Sequence, residues 1–182
     1  GWHNTAIGDN SLITNTTGTD NVAIGSNALG SQTTVDASTA IGSFSLHANT
    51  TGIQNSALGY VTLGKNTTGS SNTAIGYMSL KENTSGGNNI GLGQSTLLSN
   101  LTSNANIAIG STALRNHTTG DGNIGIGHNS MFTDISGISN TALGYNSLYS
   151  NVSGSYNTAL GGSSLFSNTT GPNNVAIGYE AL

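Results

Sequence analysis

Residues 4–20 read NTAIGDNSLITNTTGTD, and the same pattern returns to the end of the chain. Cutting every 17 residues gives units that begin at Asn4, Asn21, Ser38, Asn55, Asn72, Asn89, Asn106, Asn123, Asn140, Asn157 and Asn174. No insertion or deletion is needed, and only Gly1, Trp2 and His3 precede the first unit. Self-similarity at a fixed period marks stacked structural units. Residues 4–182 are therefore one repeat array, expected to be part of a longer chain, and its columns can be compared like an internal alignment.

Column five is glycine in every unit, from Gly8 to Gly178, as a position needing positive φ or close backbone approach would be. Column four is always Ile or Leu, and column nine is Leu except at Met131. Column three is Ala or Gly. Columns twelve to fifteen read Asn-Thr-Thr-Gly at 15–18, 49–52, 66–69 and 168–171, which is turn chemistry. Column fourteen is Thr or Ser throughout, and its hydroxyls are expected to form a ladder or to satisfy turn amides.

A unit with one short strand, one further apolar column and two turns fits one coil of a parallel β-solenoid (a β-roll). Coils would stack at the inter-strand spacing of ~4.8 Å, ten to eleven of them here. Helical repeats need about 20–47 residues per unit, and the Gly, Thr and Asn content disfavours helix. Strand side chains alternate between faces. The large residues of columns two and four are expected inside with column nine, which leaves a small-residue face of columns one, three and five outside. One Ile or Leu and one Leu per coil make a thin core. Several chains packing around an axis would remedy that, so a homotrimer is expected.

The recurring Asn-Thr/Ser/Val-Ala-Ile/Leu-Gly followed by Ser/Ala-Leu resembles the head repeats of YadA-like trimeric autotransporter adhesins. It is also similar to Asn-Thr-Thr-Gly-rich repeats of bacterial surface proteins and phage tail fibres. The resemblance spans residues 4–182. It implies a left-handed parallel β-roll, three chains per head and binding to host surfaces, with Ile7, Ile24, Leu58 and their equivalents internal. The unit here is longer than the usual head repeat by the Asn-Thr-Thr-Gly turn, and residues 1–182 hold no neck, coiled-coil stalk or membrane anchor.

Only 5% of residues are charged, with net charge −4 and three cations, Lys65, Lys81 and Arg115. Three scattered cations cannot form the basic stripe that nucleic acid or an anionic membrane surface requires. No apolar run approaches the ~18 residues of a membrane span, so no direct membrane insertion is expected. Without cysteine there are no disulfides or thiolate metal sites. His3, His47, His117 and His128 occupy different columns and are expected on exposed turns, giving no metal site. No catalytic constellation and no cofactor motif is expected: Gly91-Leu92-Gly93 and Gly125-Ile126-Gly127 are repeat columns rather than phosphate loops.

Two aromatic tracks are the candidate recognition surface. Tyr60, Tyr77, Tyr145 and Tyr179 share column six, and Phe132, Tyr149 and Phe166 share column ten on consecutive units. Such tracks either bind sugars or partners, or pack against a neighbouring coil or chain. Sequons at Asn15, Asn49, Asn66, Asn83, Asn100, Asn151 and Asn168 all fall in column twelve and read first as a structural Asn ladder; Asn116 is the exception. The expected function is a structural or adhesive module of an extracellular fibre, at a cell surface or on a virion. It would self-associate as a homotrimer, with end-to-end stacking, and meet a host-surface glycan or protein receptor. The alternative is an ice-binding β-solenoid using the threonines of columns thirteen and fourteen.

Overall fold

The computed structural model describes residues 1–182. It contains eleven strands of three residues and no helix: β1 (Thr5–Ile7), β2 (Val22–Ile24), β3 (Thr39–Ile41), β4 (Ser56–Leu58), β5 (Thr73–Ile75), β6 (Ile90–Leu92), β7 (Ile107–Ile109), β8 (Ile124–Ile126), β9 (Thr141–Leu143), β10 (Thr158–Leu160) and β11 (Val175–Ile177). They form one parallel sheet in sequential order. The register advances one unit per strand, as in Thr73↔Ile90 and Ile75↔Leu92. This is the expected β-solenoid, with one 17-residue unit per coil.

Stacking extends beyond the strands. Leu12 N–H donates to Ala28 O (3.1 Å), Thr16 N–H to Thr33 O (2.9 Å) and Ala37 N–H to Thr19 O (3.0 Å), so the turns as well as the strands are tied to adjacent coils. That satisfies backbone groups which such short strands could not pair alone. Column-five glycines hold φ between +115° at Gly110 and +142° at Gly144. At Gly25 a Cβ would lie 2.7 Å from the carbonyl carbon of Gly42, so both conformation and space require glycine. Columns seven, nine and seventeen are left-handed with a residue other than glycine everywhere but Gly122, for example Val61 (φ 54°), Leu63 (φ 51°) and Ser71 (φ 59°). Such residues are normally disfavoured. Here they turn the chain sharply enough to close a 17-residue coil.

The two faces of the strands are the reverse of the expected assignment. Column three points inward: Ala23, Ala40, Ala74 and Ala108 are fully buried. Columns two and four point outward, and Ile7 (59% exposed), Leu58 (45%) and Leu143 (48%) stand in solvent rather than inside. The reason is size. The coil is so narrow that column-nine leucines, such as Leu80 and Leu114, fill its apolar half against the alanines. At Gly91 even a methyl would lie 2.5 Å from Ser79 Oγ, so an Ile there has no room. Column fourteen also differs from expectation. It is column thirteen whose hydroxyls bond between coils, as in Thr50 Oγ1 to Thr67 O (2.9 Å) and Thr67 Oγ1 to Thr84 O (2.9 Å).

The rest of the interior is asparagine. In column one, Asn72 Nδ2 donates to Gly86 O (2.8 Å), while Asn72 N–H donates to Asn55 Oδ1 (3.0 Å). In column twelve, Asn66 Nδ2 donates to Asn49 Oδ1 (3.0 Å) and to Gly69 O (2.9 Å). These ladders give buried amides partners on both ends, the condition for placing them inside at all. They also bear on the sequons: Asn49, Asn66, Asn83, Asn100 and Asn151 are fully buried, whereas Asn15, Asn116 and Asn168 are half-buried.

Candidate functional site

The largest chemically distinct surface is the outer face of the sheet. Columns two and four line it from β1 to β11: column four is Ile or Leu on every strand, and column two is Thr or Ser on six strands and Ile or Val on five. It is most apolar on β6, β7 and β8, where Ile90, Ile107 and Ile124 stand beside Leu92, Ile109 and Ile126. The strands are in strict register, so on these three strands the side chains form two straight aliphatic rows separated by one inward residue. Sequence reasoning placed these residues inside. The signal that could have corrected it was the invariant small residue of column three, sized for a lumen filled by column nine.

The aromatic residues occupy the turns that follow the sheet. Phe132, Tyr149 and Phe166 stack with ring centroids 5.3 and 5.1 Å apart and planes within 9° of parallel. Arg115, one coil earlier in the same column, places its guanidinium carbon 5.8 Å from the Phe132 centroid. Column six does not form one track. Tyr60 and Tyr77 stack at 5.8 Å, and Tyr145 stacks on His128 at 5.7 Å. Tyr179 stands separately, and the hydrogen bond and charge of Glu180 hold its phenol above the ordinary value. Stacking covers much of each inner ring face and leaves mainly ring edges to solvent. Arg115 and His128 are members of these stacks that sequence reasoning had not included.

Charged groups are sparse. Glu82 pairs with Lys65 of the preceding coil (2.5 Å) and with its sequence neighbour Lys81 (3.2 Å). No three His, Asp or Glu side chains converge on a point that could hold a metal ion. His3 and His128 are exposed and His47 is half-buried. His117 departs from the expected exposed turn: it is fully buried against Asp134. The two depressions in the surface flank Leu182 on the last coil, one lined by Ser163, Phe166, Ser167 and Glu180 and the other by Leu165, Ser167, Asn168 and Asn174. Neither gathers groups suited to acid–base or nucleophilic chemistry. No helix is long and apolar enough to cross a membrane.

Comparison with known proteins leaves these surfaces to be read on their own terms: no protein-family model, curated protein or solved structure matches the chain.

Proposed function

We propose that this solenoid is a rigid structural module of an extracellular fibre, a surface adhesin or phage tail fibre, assembled from three copies that bury the outer sheet face against one another. The supporting observation is that face. The Ile/Leu row of column four runs the length of the rod, Ile90, Ile107 and Ile124 of column two add a second aliphatic row at its middle, and soluble monomers rarely expose continuous apolar surface on that scale. A repeated patch on a straight rod is covered most simply by the same patch on symmetry-related copies. The assembly first inferred from a thin core is retained, but the surface assigned to it changes from columns one, three and five to columns two and four. The rows of Ile90, Ile107 and Ile124 supply its most apolar stretch. The turn aromatics remain outside this face, where ring edges, Arg115 and the Tyr hydroxyls are available to a host-surface glycan or protein.

The ice-binding alternative draws support from the regular register of the same sheet face, which carries Thr5, Thr39, Thr73, Thr141 and Thr158 in one column. It is weakened by the aliphatic fourth column and by the column-thirteen hydroxyls being bonded to neighbouring coils.

Mass in solution by light scattering, with circular dichroism on the same sample, tests the proposal. A β spectrum at three times the 18.2 kDa chain mass is expected, and I107K/I124K should yield a folded monomer. A well-folded wild-type monomer at high concentration would sink the trimer, and thermal hysteresis in that monomer would favour the ice-binding reading.

A further inference from the structure

Column twelve carries Asn in seven of its ten coils, and two of the three departures, His117 and Asp134, are adjacent. Below them the ladder runs one way. Asn66, Asn83 and Asn100 each donate Nδ2 to the Oδ1 of the preceding coil, at 3.0, 2.7 and 2.7 Å. At His117 this stops, because the imidazole gives no donor to Asn100. Ser103, in a column that is otherwise Gly or Val in the other coils, supplies a hydroxyl to Asn100 Oδ1 instead. His117 faces forward, with Nδ1 2.6 Å from Asp134 Oδ2 and Nε2 2.7 Å from Gly120 O. Asp134 Oδ1 accepts from Asn151 Nδ2 (2.6 Å) and Gly137 N–H (3.3 Å). Gly120 is the one column-fifteen residue at positive φ (127°), where the turn accommodates the ring. Three side-chain changes and one backbone change thus coincide, and the amide ladder is interrupted between Asn100 and His117 and resumes in the same sense where Asn151 donates to Asp134.

The proton inventory follows from the acceptors. Gly120 O can only accept, so Nε2 carries a proton. One more proton lies between Nδ1 and Oδ2. Whichever atom holds it, the pair is neutral as a unit. Gaining a proton makes the pair a buried cation; losing one makes it a buried anion. Both side chains are fully buried, and no other titratable side chain in the protein is. The groups that face the pair, Asn100, Ser103, Gly120, Gly137 and Asn151, are all uncharged. None can compensate an added or removed charge, and an unpaired buried charge is strongly destabilising.

We propose that the His117–Asp134 pair is a proton-sensitive seam, the place where the coils of the rod loosen when pH leaves the neutral range in either direction. Each coil contacts only its neighbours, so loosening stays local at first instead of unfolding the array at once.

The test is amide hydrogen exchange resolved by coil at about pH 3.5, 7 and 9.5, expressed as protection so that the intrinsic pH dependence divides out. Protection across residues 106–139 should fall at least about tenfold more than in flanking coils at both extremes, well inside what an uncompensated buried charge can cost. The H117N/D134N variant places Asn in column twelve from Asn49 to Asn168 and should lose that local dependence. A uniform fall along the rod, or the same local fall in the variant, overturns the proposal. Should the variant not fold, ring-nitrogen NMR of the wild-type protein decides, with His3, His47 and His128 as internal references. His117 must change protonation where protection falls; a change of protonation with protection intact overturns the seam.

Discussion

Asn83 Nδ2 lies 2.7 Å from Asn66 Oδ1 one coil earlier, and Asn83 Oδ1 receives the amide of Asn100 at 2.7 Å from the coil that follows. Asn83 also donates to Gly86 O at 3.0 Å, so one buried amide ties its own turn and both neighbouring coils. Removing it leaves a buried acceptor and a weakened donor without water to replace it. Asn83→Ala should cost about 2–3 kcal/mol, in the range of orphaned buried polar groups, read from the urea midpoint. A loss below about 0.5 kcal/mol would mean that the ladder is incidental.

Gln32 shows the converse. It occupies column twelve with its amide buried, yet neither Nε2 nor Oε1 has a partner, and Asn15 Oδ1 beside it is also unpaired. The extra methylene carries the amide out of line with Asn15 and Asn49. Gln32→Asn should therefore stabilise the protein by about 1 kcal/mol, the net value of a restored hydrogen bond. A lower urea midpoint would instead show that the longer side chain fills space an Asn leaves empty.

The inward and outward faces of β7 can be told apart by one pair of substitutions. Ala108 is fully buried against column-nine leucines, so Ala108→Leu should destabilise by about 1–3 kcal/mol through overpacking. Ile109, its neighbour, points outward. Ile109→Thr should leave the β spectrum of the folded coil intact and lower only the tendency to associate, measured by light scattering across a dilution series. Equal losses of fold stability from both would contradict the face assignment.

Glu82 gives a small pH effect whose sign can be worked out. Partial burial pushes its carboxyl up, but the hydrogen bonds and charges of Lys65 and Lys81 outweigh that and hold it below the ordinary value. A depressed carboxylate stabilises the fold above its unfolded value, and the contribution is lost as pH falls through the folded value. The site is largely exposed, so the effect is a few tenths of a kcal/mol after screening. Glu82→Gln should lower stability slightly at neutral pH and match wild type in strong acid. A difference unchanged between the two pH values would assign the effect to packing.

Much of this was legible in the sequence because a solenoid converts spacing into contact. Any two residues 17 apart lie on adjacent coils, so the stacking of Phe132, Tyr149 and Phe166 and the column-twelve Asn ladder followed from counting. The His117–Asp134 pair obeyed the same rule and was missed because histidines were compared only with histidines. The orientation of the strand was misread for a different reason. Hydrophobic alternation marks two faces, and the larger apolar residues ordinarily go inside. That rule fails where the lumen is too narrow for them.

The sequence by itself determined the period, the sequential parallel stacking, the glycine in column five of every unit and the partners of each column, since all depend only on a repeat that never slips. The tertiary structure alone decided which face of the strand is the inside. Closing 17 residues into one coil leaves a cavity that column-nine Leu and the Asn ladders fill, and only Ala or Gly fits across from them. Ile and Leu are thereby turned outward, and the apolar surface that the coil cannot enclose becomes the surface it offers to others.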